Sequence, residues 1–283
     1  MANEALIRGI FFFVIFALIA YGETVAARRQ LTVSKTGRWF SNLSMILLSN
    51  ILIKLTLPVA ATGIAAAAAA QNWGLFNSLQ VPNWAAILIS ILILDLVIYL
   101  QHLMFHAVPI LWRLHMVHHT DLDLDVTSAL RIHPVELIIS MGIKIIVVAA
   151  LGIPVLAVLI FEIILNSAAM FNHGNLRLSE KLDRRLRLLT VTPDMHRVHH
   201  SVMIRETNSN FGFNFPYWDR LFGTYRSQPV YGHEQMTIGL SQFRNVEQIS
   251  FLKLLLLPFT GDAGHYSLKS IGRAPETVTR QKR

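Results

Sequence analysis

Eight of the twelve histidines in this chain fall into three short clusters: His102 and His106; His115, His118 and His119; and His196, His199 and His200. If residues 84 to 106 are helical, 100° per residue brings Asp95, Tyr99, His102 and His106 within about 60° of one another. One helical face then carries a carboxylate, a phenol and two imidazoles. The i, i+3, i+4 spacing of the second cluster puts its imidazoles on one face, within reach of a common ion, and the third cluster repeats the pattern. A single histidine on an apolar face is more often packed or hydrogen-bonded than a ligand. Eight in three clusters are different, because imidazoles repel when protonated, are costly to desolvate, and gather where something electron-accepting holds them. The chain has no cysteine. That excludes disulfides, thiolate zinc sites, iron–sulfur ligation and a cysteine nucleophile, so any metal is held by nitrogen and oxygen.

The elements that must position these groups are apolar. Of 283 residues, 53% are hydrophobic and 15% charged, which is a membrane composition. The formal net charge of +8 does not point to nucleic acid, since the basic residues flank apolar runs and no recognition motif accompanies them. Residues 6–27 read as a retained transmembrane helix. Arg28, Arg29, Lys35 and Arg38 follow, and the positive-inside rule makes that loop cytoplasmic. A second span runs over about 40–62 and contains Lys54, expensive in hydrocarbon unless it snorkels or pairs. Residues 63–83 carry no formal charge and read as a non-cytoplasmic linker or interfacial helix. A third span, about 84–103, delivers His102 and His106 back to the cytoplasmic side. Residues 136–151 and 154–171, parted by Gly152 and Pro154, read as a helical hairpin. The return limb carries Glu162, Asn166 and His173 on one stripe. Glu162 is either an ion-pair partner for Lys54 or Lys144 or an outer partner of a metal ligand. Residues 251–259 are too short to span and lie in the interface, and the last twenty or so form a mobile tail. Charge bias alone orients the chain, and every histidine cluster then falls on the cytoplasmic face.

This pattern resembles the fatty acid hydroxylase, or sterol desaturase, superfamily of integral membrane di-iron oxygenases. The resemblance rests on His102-x-x-x-His106, His115-x-x-His118-His119 and His196-x-x-His199-His200, in that order. Arg131-x-His133-Pro134, Asn172-His173-Gly174-Asn175 and Trp218-Asp219-x-x-Phe222-Gly223-Thr224 add to it. It covers about residues 84–225, and the first histidine spacing is closer to the sterol desaturase-like branch. It implies an all-α integral membrane protein of about four to five transmembrane helices with a cytoplasmic helical cap carrying a histidine-rich di-metal site. The division expected is 1–83 for N-terminal spans and linker, 84–225 for the catalytic domain, and 226–283 for a cytoplasmic or interfacial tail.

The resemblance further implies that His102, His106, His115, His118, His119, His173, His196, His199 and His200 hold two iron ions, with coordination positions left open for O2. Zinc also suits imidazole. His133 is expected as an outer residue rather than a tenth ligand, and Asp95 as a hydrogen-bond partner fixing a ligand tautomer. Glu162 and Asn166 are further candidates for that outer role. Trp218 and Asp219 suit a packed turn, and His233 and His265 a surface or interface. The implied activity is oxygen-dependent hydroxylation or desaturation of a fatty acyl chain or sterol. No haem, flavin or nicotinamide motif is visible, so electrons come from a separate carrier, a b-type cytochrome or a ferredoxin with its reductase. The C-terminus shows no dilysine retrieval signal, favouring a bacterial inner membrane over the endoplasmic reticulum. Two other readings remain: a membrane metal-binding or transport protein, which would place ligands near the bilayer midplane, and a zinc hydrolase, for which His-Glu-x-x-His is missing.

Overall fold

The computed structural model describes residues 3–268, and among these the chain is helical with no strand beyond two isolated bridges. Five stretches are long and apolar enough to cross a membrane: Glu4–Val25, Lys35–Ser78, Asn83–Ala107, Pro134–Leu151 and Val155–His173. The first is α1. The second divides into α2 (Lys35–Thr56), α3 (Ala61–Ala70) and the short α4 (Leu75–Ser78), and the others are α5, α7 and α8.

The expected linker at 63–83 is therefore part of the bundle. The small faces of α3 at Ala61, Ala65 and Ala68 are fully covered, and α3 packs against α7 and α8. Small residues let backbones approach where lipid offers no hydrophobic drive for association. At the far end from the histidines, Gly74 lies against Gly152, where a Cβ on Gly74 would stand 2.3 Å from the Gly152 nitrogen. Gly152 has φ 64° and ends α7, a left-handed cap that only glycine adopts without strain.

The ion pairs inside the bundle resolve one alternative. Glu162 on α8 accepts from Lys144 Nζ at 2.9 Å and also pairs with Arg8 on α1. Lys54 is exposed in the last turn of α2, in position to snorkel. Among the described residues Asn166 donates to the Glu162 carbonyl one turn back.

At the other end of the bundle, the chain after α1 meets the chain after α8. Arg28 N donates to the Asn175 carbonyl and Arg177 N to the Ala26 carbonyl. The 26–34 loop, the α5–α7 connection and residues 174–268 thus share one end. Helix α6 (Pro109–His119) begins one residue after α5 stops, with Pro109 at its first position; proline there ends one helix and starts the next. The reversal folds α6 back on α5. The cap continues through α9 (Glu180–Leu186), α10 (Pro193–His199), α11 (Ile204–Thr207), α12 (Tyr217–Leu221) and α13 (Gly232–Gln235) to α14 (Phe251–Thr260). Thr192 accepts from Met195 N, and Pro193 takes the first position of α10, so a short helix is started firmly just before the third histidine cluster.

Residues 226–268 pack onto this cap. Leu254 and Leu257 of α14 are buried in the cluster that contains Trp112 and Met116 of α6, and Tyr266 stacks on Trp112 at 6.0 Å. Leu252, Leu256 and Phe259 stay exposed on the other face of α14, as an interfacial helix requires. The expected terminal tail falls mostly on residues outside those described.

Candidate metal centre

Nine imidazoles converge at that end, and all are buried. They form two groups. His102, His106, His115, His119 and His199 offer ligand atoms that lie within 4.8 Å of one another, and so do His118, His173, His196 and His200. The expectation of a common ion for each i, i+3, i+4 cluster is corrected here, because both of those clusters are split between the groups, while His102 and His106 stay together. Neighbours in a helix point 100° apart. His119 therefore faces the first group while His118 faces the second, and His199 and His200 divide in the same way.

The hydrogen bonds behind the rings determine which nitrogen faces inward. Nδ1 of His102 donates to the Phe211 carbonyl at 2.9 Å, that of His118 to the Arg131 carbonyl at 3.2 Å, that of His173 to the Ala169 carbonyl at 2.7 Å, and that of His199 to the Ser209 carbonyl at 2.8 Å. His106 Nδ1 meets Asn208 Oδ1 at 3.1 Å, and the Asn208 amide nitrogen is committed to the Ile204 and Tyr266 carbonyls. Its oxygen must then be the acceptor. His115 Nδ1 donates to the Glu136 carboxylate at 2.7 Å.

With Nδ1 protonated, a neutral ring presents a bare lone pair at Nε2. Yet Nε2 of His102 lies 3.1 Å from Nε2 of His115, and Nε2 of His118 lies 3.0 Å from Nε2 of His173. Two lone pairs at that distance repel. Protonating one ring would relieve the clash, but burial first, and then neighbouring imidazoles such as His173, lower the pKa of His118 well below its usual value. Burial likewise lowers His199 to about 3. Nε2 of His106, His119 and His199 is also buried without a hydrogen-bond partner among the described residues. The donor set therefore fits electron-accepting cations, one in each group. Phe211 packs at 5.0 to 5.5 Å from the rings of His102, His106 and His199, and Trp112 at 4.9 Å from His106, so the first group is jacketed by aromatic rings rather than water.

The remaining candidates lie elsewhere. Asp95 is not a partner of any of these histidines; it accepts from Trp218 Nε1 at 2.8 Å, because it sits eleven residues before His106 on α5. His133 is outside both groups. Its Nδ1 accepts from Val135 N, capping α7, and its Nε2 donates to the Leu255 carbonyl of α14. Glu162 and Asn166 are likewise far along α8 from His173. His233, expected at a surface or interface, is buried with its ring 3.7 Å from Asp194, and its own backbone carbonyl accepts from Arg29. His265 is exposed, as expected. Asp219, expected in a packed turn, sits instead on α12, where it accepts from the backbone of Phe211 and Gly212 and from Thr224. In doing so it holds the Phe211 carbonyl where His102 needs it.

Glu136 and Asn208 are missed by sequence reasoning. Glu136 is twenty-one residues from His115, and Asn208 is 102 residues from His106, so no local spacing betrays either. A carboxylate behind a ligating imidazole fixes its tautomer and raises its basicity. Glu136→Leu is expected to weaken metal binding about 10- to 100-fold, whereas Glu136→Gln, which keeps an acceptor, should retain most of it. Metal titration of the purified variants reads the difference; equal affinity in both would remove Glu136 from this role.

The fatty acid hydroxylase family model matches residues 87–224, the stretch that carries every one of these nine histidines. An ornithine lipid hydroxylase of Rhizobium tropici is 26% identical over 220 residues, covering 75% of this chain and 65% of that protein. Alkylglycerol monooxygenases of Xenopus tropicalis and Homo sapiens are 27% and 28% identical, over 62% and 60% of this chain. The chain spans 39% and 36% of those two proteins. No solved structure matches it.

Proposed function

We propose that this chain, whose residues 87–224 belong to the fatty acid hydroxylase family, is a membrane-bound di-iron oxygenase that hydroxylates a lipid. His102, His106, His115, His119 and His199 hold one iron, and His118, His173, His196 and His200 hold the other. The observation that carries this reading is the pair of inward-facing, unprotonated Nε2 contacts, His102 with His115 and His118 with His173, inside two buried all-imidazole groups. When bound, the two ions supply activation of O2 for insertion into a C–H bond. The overall balance is one C–H bond and O2, with two electrons and two protons, giving one C–OH and water.

The chain's own contribution is to aim and to exclude. Carbonyls of Arg131, Ala169, Ser209 and Phe211, the Asn208 amide and the Glu136 carboxylate hold the rings with Nε2 inward, so little reorganisation accompanies metal binding. Phe211 and Trp112 keep water from the imidazoles. The electrons come from a separate carrier, a b-type cytochrome or a ferredoxin with its reductase. The substrate is a membrane lipid with an acyl or alkyl chain. The named activities of the relatives, ornithine lipid hydroxylation and alkylglycerol monooxygenation, favour hydroxylation over desaturation and a polar-headed lipid over a sterol. The basic loop at Arg28 and Arg29 supports placing the metal end on the cytoplasmic side, and the bacterial relative supports a bacterial inner membrane.

Cells expressing the chain, with a compatible electron donor present, should contain a lipid heavier by one oxygen that is missing from cells expressing His199→Ala at equal level. A species lighter by two hydrogens would make it a desaturase. No difference would overturn the oxygenase reading in favour of metal binding or transport. The purified protein alone should not turn over with NADPH and O2.

A further inference from the structure

The cap does not simply sit above the bundle. Helix α5 rises about 1.5 Å per residue, so Asp95 lies about 16 Å and Tyr99 about 10 Å down the helix from His106. Trp218 reaches Asp95 with a hydrogen bond of 2.8 Å, and Phe222 stacks on Tyr99 at 5.4 Å. Helix α12 therefore runs alongside the membrane-spanning part of α5. On that same helix Leu92 and Leu100 are about half exposed, which marks the level of the lipid.

Helix α12 leaves an open edge beside its contact with α5. Tyr217 and Leu221 are exposed there, Leu221 at 69%, with Arg220 between them, and Phe222 is half exposed where it stacks on Tyr99. The chain after α9 extends this surface: Leu188 and Leu189 are exposed, Leu189 at 67%, and the Leu188 carbonyl accepts from Tyr217 Oη while the Arg187 carbonyl accepts from Arg220. Five large apolar side chains thus form one edge, more than a soluble surface normally leaves together. Lys181, Arg184 and Arg185 of α9, which leads into this edge, are exposed cations, the complement of anionic lipid head groups.

We propose that this edge of the cap, Leu188, Leu189, Tyr217, Leu221 and Phe222, is seated in the acyl region of the lipid bilayer, continuous with the lipid-facing surface of α5. The two metal groups then stand at the membrane boundary rather than in open cytosol, with Lys181, Arg184 and Arg185 of the cap at head-group level. The seating follows from geometry and exposure, and it holds whether or not the chain oxidises a lipid.

The absence of cysteine makes the test clean, because one introduced thiol is unique. Full-length Leu189→Cys and Leu221→Cys would each be labelled with bimane and reconstituted in vesicles of phosphatidylcholine and phosphatidylglycerol, with and without acyl-brominated phosphatidylcholine. Leu92→Cys serves as the bilayer reference and Glu247→Cys, at an exposed position of the short 3-10 helix Val246–Ile249, as the aqueous one. Both cap labels are expected to be quenched by the brominated chains as Leu92 is, and to be shielded from aqueous iodide. Quenching by iodide to the extent seen at Glu247, with no response to bromine, would overturn the proposal. Should either substitution prevent folding, Leu188→Cys reads the same edge.

Discussion

Metal content should fall in two separable steps. The double variant His118→Ala/His196→Ala removes half of one group and leaves the other five imidazoles in place, so it is expected to purify with one ion per chain instead of two. His106→Ala/His199→Ala should do the same from the other side, keeping four imidazoles around the second ion. Combining the four substitutions should leave none. Activity should fall to background in all three, because the proposed chemistry needs both ions. Insertion should be unaffected, since the backbone of each span is satisfied within its own helix. Elemental analysis of the purified variants checks this. A protein that lost both ions on losing only His118 and His196, or that kept both, would mean that the two groups do not act as two sites. The partition shown by the ligand distances makes the experiment specific; the resemblance implies two ions but not which histidines share each.

That contrast shows what local spacing carries and what it does not. His102, His106 and the two i, i+3, i+4 sets are legible because helical periodicity is a property of a few consecutive residues. Their division between the two groups depends on where α6 and α10 cross α5 and α8, and that is set by Pro109 and by the Thr192 and Pro193 start of α10 through contacts far along the chain. The spans were readable from composition. The alanine run was not readable as a bundle helix, because polyalanine has no face until Gly74, α7 and α8 press against it. Asp95 illustrates the limit from the other side. It shares a helical face with His102 and His106 as the spacing predicts, but a shared face does not mean shared depth, and Trp218 on α12 takes it instead.

Arg38→Met is expected to be the most destabilising single change near the site. Arg38 lies at the start of α2, buried, and its guanidinium donates to Asp121 at 2.6 Å, to Asp125 at 2.7 Å, and to the Asp123 carbonyl and Ser128 at 2.8 and 3.0 Å. Burial alone would raise the Asp121 pKa, but Arg131 and Arg38 hold it well below the usual carboxylate range. It therefore stays charged in the folded protein. Without Arg38, Asp125 loses its ion-pair partner, and Asp121 is left with Arg131 at 3.4 Å and the neutral donors Ser128 and Asn42. Breaking a buried pair by removing one partner costs roughly 3 to 5 kcal/mol, because the other charge is left uncompensated. Arg38→Lys should recover little, since one ammonium cannot reproduce a fork that serves four acceptors. The loss should reach the metal groups, because this loop ties His118 and His119 to the Arg131 carbonyl that receives His118 Nδ1. Thermal unfolding in detergent, followed alongside metal content, should show both falling together in Arg38→Met. Removing the acids as well, in Arg38→Met/Asp121→Asn/Asp125→Asn, should regain part of the stability by taking away the stranded charges. If the triple variant were no more stable than Arg38→Met, packing around the guanidinium rather than its charge would be what holds the loop.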